Sequence, residues 1–219
     1  MVGPNTAVIP LQNGVDAPER LLPILGPKAV MGGVAQISAS ITAPGVIQQV
    51  GTFMRMIFGE LDGRRSQRAE DFLALCLKAG FDASLSDQIV TELWMKFILL
   101  ATNAGITAAT RRPIGELRDD PDIRPVMMAA LREVFAVGKA KGVALPTDAV
   151  DKILDFIEHD DPFGVFDVDR RIEIARGELR KLRLRKPTHR SIDVPYEKGL
   201  QIPVVWLGVV QQRNLREER

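Results

Sequence analysis

The chain predicts an α/β fragment followed by an all-α C-terminal domain, and three observations carry that prediction. Up to residue 85, short β-branched runs alternate with segments of helical spacing, the order of a sheet with helices packed on it. From Ser86 onward apolar residues recur at three- and four-residue intervals and strand-like alternation disappears. The first β-type run, Thr6-Ala7-Val8-Ile9-Pro10-Leu11, stands so near Met1 that it needs neighbours to pair with, so the sheet is read as opening in its middle. The expected division is 1–85 for the α/β part and 86–219 for the helical part.

The elements follow in order. A strand over Val8–Leu11 ends at Gln12-Asn13-Gly14, and Asp16 is placed to cap a helix over Ala17–Leu25 that stops at Gly26-Pro27. Ala29–Thr42 reads as a strand, Ala43-Pro44-Gly45 as a turn, and Val46–Val50 and Phe53–Phe58 as two further strands. Ser66–Ala79 has helical spacing and ends at Gly80, and Phe81–Leu85 reads as the last strand of the sheet. Ser86 or Asp87 is placed to cap a long apolar helix reaching Gly105 or beyond, which Arg111-Arg112-Pro113 interrupts. Asp120-Pro121 opens a helix that ends near Gly142, and Pro146–Ile157 forms another. His159–Gly164 is read as a loop, Asp167–Arg185 as a helix broken by Pro187, and the tail after Ile192 as poorly patterned.

Bulk properties narrow the function classes. The 219 residues are 46% hydrophobic and 26% charged with net charge +1, the profile of an ordinary globular chain with no global field for nucleic acid or membranes. The single cysteine, Cys76, lies in an apolar helical run and reads as a buried thiol. No uninterrupted apolar run reaches membrane-spanning length and no signal core follows the N-terminus, so the expected location is the cytoplasm. G-x-G-x-x-G, the P-loop, H-E-x-x-H and C-x-x-C are all absent, and no metal site is expected.

Three short clusters can carry chemistry. Lys96 is the lone charge in Leu93–Ala101, and an ammonium so isolated either sits at a cleft wall with a lowered pKa, ready to donate a proton, or snorkels to water on its long stem. Asn13 follows a strand where ligands of α/β sheets bind, or else simply makes an Asn-Gly turn. Glu173, flanked by Ile172 and Ile174, either faces a cleft or pairs with Arg170 or Arg176.

The order of these clusters adds to each of them. Val8-Ile9-Pro10-Leu11-Gln12-Asn13-Gly14-Val15, Pro44-Gly45-Val46-Ile47, Phe58-Gly59-Glu60, Ala79-Gly80-Phe81 and Glu92-Leu93-Trp94-Met95-Lys96-Phe97 occur in series. Thr107–Arg111, Glu133-Val134, Lys141-Gly142-Val143 and Arg171-Ile172-Glu173-Ile174 continue it. In this the chain resembles the ketopantoate reductase (2-dehydropantoate 2-reductase) family, continuously from about Asn5 to Asp148. The resemblance implies an incomplete Rossmann-type sheet followed by a helical domain of the 6-phosphogluconate dehydrogenase C-terminal-like type. It implies NADPH-dependent reduction of a small 2-oxo acid in pantothenate synthesis, with Lys96 as the proton donor to the ketone oxygen. Asn13 matches the asparagine that contacts cofactor NADP(H) and substrate, and Glu173 the glutamate that accepts from a substrate hydroxyl. A homodimer is a further expected partnership; nucleic acid and membrane are not.

The departures from the family pattern are specific. The strand, glycine-rich turn and helix that open the family's nucleotide-binding domain have no counterpart here. Leu100 and Ala104 stand where the family has asparagines, Asn103 is read as out of helical register with Lys96, and no serine lies between His159 and Glu173. Leu179–Lys186 replaces a more apolar stretch. The alternative of a different class is a non-catalytic helical module for oligomerisation or partner binding, favoured by the apolar surface an incomplete sheet would expose.

Overall fold

The computed structural model describes residues 3, 5–80 and 82–159. The expected strand over Val8–Leu11 is reduced to one isolated parallel bridge between Val8 and Val30. Pro10 has no N–H to donate, so a ladder cannot continue through it. Helix α1 (Ala17–Leu25) has the expected range, but Asp16 does not cap it: its backbone is already helical, and its carboxylate lies 3.5 Å from Arg20 instead.

A long antiparallel hairpin follows, β1 (Gly32–Ala43) and β2 (Val46–Gly59), pairing from Gly32 opposite Gly59 to Ala43 opposite Val46. The two strands expected at Val46–Val50 and Phe53–Phe58 are one. The interruption read at Gly51-Thr52 is a bulge: Ile37 faces Met54 while Ala39 faces Gln49, so β2 spends five positions where β1 spends two. Ser66 caps α2 (Gln67–Lys78), its Oγ accepting from Ala69 N at 3.3 Å. β3 (Asp82–Leu85) then joins β2 in parallel, giving the order β1-β2-β3.

The helical part opens with α3 (Ile89–Thr110), which neither Ser86 nor Asp87 caps; Ser86 Oγ accepts from Gln88 N at 3.0 Å in the turn before it. At 22 residues α3 is by length and composition apolar enough to cross a membrane, a property hidden in the sequence by its scattered polar positions. Within this fold it is the central helix. Ile89 and Leu93 pack with Val34 and Ile57 of the sheet, and Trp94 and Ile98 join Met127, Leu131 and Ile153 in the helical core. Arg111, in left-handed conformation with φ 57°, ends it. A short helix α4 (Ile114–Leu117), not read from the sequence, precedes α5 (Ile123–Ala140). α5 begins two residues after Pro121 because Asp120 Oδ1 accepts from the amides of Asp122 and Ile123. α6 (Ala149–His159) starts later than expected and takes in His159, which was expected in a loop. The expected helix over Asp167–Arg185, with Glu173, and the tail lie outside the described residues.

Candidate active site

Lys96 stands one turn beyond Leu93, between the side of α3 that packs on the sheet and the side that packs on α5. Its stem is half-buried, and its Nζ donates to the Ala35 carbonyl of β1 at 2.6 Å. The ammonium is therefore tied back to the sheet rather than extended into water. Burial lowers its pKa from 10.5 to about 8, because removing water penalises the charged form. That is the electrostatic state of a proton donor working near neutrality.

The loop that carries Asn13 reaches the same stretch of β1. Ile9 and Leu11 lie directly over Gly33: a Cβ there would come 2.8 Å from Leu11 Cδ2, so only glycine admits the crossing. Val15, two residues beyond Asn13, packs on the cluster of Val34, Ile57, Ile89 and Leu93. Asn13 is half-buried between these two anchors. Of the three residues singled out from sequence, the fold sets Asn13 and Lys96 around the Gly33–Ala35 segment; Glu173 lies outside the described residues.

Asn103 was passed over in the sequence, and wrongly on helical grounds. Seven residues at about 100° each fall within about 20° of two full turns, so Asn103 shares the stripe of Lys96. It is 1% exposed, and its Oδ1 has no hydrogen-bond partner among the described residues; its carbonyl accepts from Thr107 Oγ1 at 2.6 Å. Its neighbour Thr102, 3% exposed, has an Oγ1 in the same condition. The seven-residue spacing from Lys96 was the signal that could have found Asn103.

A second polar cluster is structural. Glu60, 3% exposed, accepts from Arg68 Nε and Nη2 at 2.7 Å each and from Ser66 Oγ at 2.5 Å. The hydrogen bonds from Arg68 hold its carboxyl below the usual range. Arg68 also donates to the Lys28 carbonyl, so this cluster ties the loop after β2, the start of α2 and the approach to β1 together. Among the described residues no group of three or more His, Cys, Asp or Glu is arranged to hold a metal.

A dinucleotide needs helix-terminal amides that accept a pyrophosphate. Here Asp16 and Glu19 crowd the start of α1, Ser66 Oγ occupies an amide at the start of α2, and Glu92 lies in the first turn of α3. These termini repel or are closed to phosphate, so the described residues do not fit the nucleotide end of NADP(H). What they present is suited to the reacting end.

Known proteins bear on this geometry. The family model for ketopantoate reductase PanE/ApbA matches residues 1–63, and that for the ketopantoate reductase PanE/ApbA C-terminal region matches residues 88–163. A 2-dehydropantoate 2-reductase of Caulobacter vibrioides is 30% identical over 75% of this chain and 54% of its own length. An uncharacterized oxidoreductase, YkpB, of Bacillus subtilis is 26% identical over 63% of this chain and 46% of its own. The crystal structure of 2-dehydropantoate 2-reductase from Porphyromonas gingivalis W83 superposes with a TM-score of 0.67 at 30% identity, covering 80% of this chain and 60% of that one. The chain spans about half the length of the curated relatives it matches.

Proposed function

This chain belongs to the ketopantoate reductase family, and from that premise we propose that it serves a cytoplasmic, NADPH-dependent reduction of 2-dehydropantoate, or a related 2-oxo acid, to the 2-hydroxy acid. The observation that carries the proposal is the position of Lys96, desolvated against β1 with its Nζ on the Ala35 carbonyl. NADP(H), when bound, supplies the hydride. The chain's own part is the proton. As the ketone carbon is reduced, negative charge grows on its oxygen, and the Lys96 ammonium meets that charge and gives up a proton to it. In the waiting state the same N–H bond is held by the Ala35 carbonyl, which keeps the ammonium oriented. Asn13 is assigned to hydrogen bonds with cofactor and substrate at the mouth of the site, and Glu173 to acceptance from a substrate hydroxyl. The amide of Asn103, unpartnered at Oδ1 on the stripe of Lys96, is assigned to orienting the substrate.

Steady-state kinetics of NADPH oxidation with 2-dehydropantoate and a panel of 2-oxo acids test this reading. Lys96→Ala is expected to lower kcat by about 10² to 10⁴ with little change in KM for NADPH. Equal kcat in variant and parent removes the proton-donor role. Because the lysine must be protonated to act, the reduction rate is expected to fall as pH rises through about 8.

A further inference from the structure

The outer half of the β1–β2 hairpin has its faces the wrong way round for a protein alone in water. Along β1, Ile37, Ala39, Ile41 and Ala43 alternate with Ser38 and Thr42, the period of a strand with one buried face. Yet Ser38 is 4% exposed, while Ile37 and Ile41 are 45% and 46% exposed. Ile47, directly opposite Ile41 on β2, is 74% exposed. Every residue from Ile41 to Gln49 is exposed. No Asp, Glu, Lys or Arg occurs between Lys28 and Arg55, although the chain as a whole is 26% charged. Exposed edge strands are ordinarily guarded by charge, and this ribbon carries none.

We infer that the apolar face of this ribbon is the contact between two copies of the chain, with the Ile41–Ile47 pair of one copy stacked on that of the other across a two-fold axis. A second copy is the occupant the charge pattern favours. An acidic or basic partner would find nothing on the ribbon to pair with, whereas the ribbon's own uncharged stripe complements itself without like-charge repulsion. A face built from so few side chains lies at the small end of interface sizes, so the dimer is weak and concentration-dependent. None of this rests on the reductase reading.

Sedimentation velocity of the full chain over a concentration series tests it, alongside the paired variant Ile41→Lys with Ile47→Lys. Both positions are exposed, so circular dichroism and the melting curve should match the parent. The parent is expected to pass from monomer to dimer as concentration rises, and the variant to stay monomeric, with association weakened at least about 100-fold. In a second arm, Ile47→Cys is expected to give a disulfide-linked dimer on oxidation, while a cysteine at exposed Glu133 on α5 does not. A parent that stays monomeric to about 100 μM, or a lysine variant that dimerises as the parent does, overturns the inference. So does a monomer whose amides over residues 41–49 resist hydrogen exchange, since the occupant would then be part of the same chain.

Discussion

At position 96 a methionine would fill nearly the volume of the lysine without its charge, and the difference measures what the fold forgoes for its chemistry. Lys96 titrates near 8 in the fold against 10.5 ordinarily, so between those values the unfolded chain binds more protons than the folded one. Stability from this group therefore rises as pH climbs from about 8 to 10.5. Below 8 the full penalty is present, on the order of 3 kcal/mol. Lys96→Met removes the penalty but leaves the Ala35 carbonyl without its donor, which costs about 1 kcal/mol. The expected net gain at pH 7 is about 1–2 kcal/mol, seen as a melting temperature a few degrees higher, and it should shrink toward pH 10. Thr102 and Asn103 give a sharper contrast. Thr102→Val removes a buried hydroxyl that has no partner, so melting should be unchanged or slightly raised, by up to about 1 kcal/mol. Asn103→Leu should likewise not destabilise by more than about 1 kcal/mol, yet raise KM for the 2-oxo acid about tenfold. A large loss of stability with unchanged kinetics would make Asn103 purely structural.

Among the elements, the junction of sheet and helical part is held by two features that a single substitution each can break. Gly59 closes β2 where the chain passes Ser86: a Cβ at this glycine would strike the Ser86 carbonyl, which is backbone and cannot swing aside. Gly59→Ala is expected to cost about 2–4 kcal/mol by forcing β2 away from the turn that launches α3, measurable in denaturant melts. The Glu60 cluster is the other. Glu60→Gln keeps the shape but gives up the charge that binds Arg68, an expected loss of about 1–3 kcal/mol. The carboxyl is held low in the fold, so its contribution is present above the ordinary carboxylate pKa and lost as pH falls through the lowered value. In the Gln variant that acid-sensitive component should vanish from the pH–stability curve.

For the molecule as a whole, legibility followed how local the determining interactions are. Helix α1 and the ends of α2 were readable because proline, glycine and Ser66 fix them within a few residues. The reduced N-terminal strand, the unbroken β2 and the start of α5 were not, because they depend on what lies opposite: Val30 for Val8, the bulge facing Ile37–Ala39, and Asp120 turning back on the amides of α5. Lys96 was legible as an anomaly, a single charge in an apolar run, but only the Ala35 carbonyl decided between a tethered ammonium and a snorkelling one. Asn103 was legible by spacing and misread. The exposed apolar face of the hairpin could not be seen in the alternation of β1, which is the same whichever side meets water. All of the proposed chemistry returns to one property, a Lys96 ammonium that gives up its proton near neutral pH. Carbon-detected NMR titration of lysine-labelled protein, with Lys96→Met to assign the resonance, reads that property directly. The account predicts one lysine titrating at about 8 and absent from the variant. A Lys96 resonance that stays protonated to above about 10, with the solvent-exposed lysines, contradicts it.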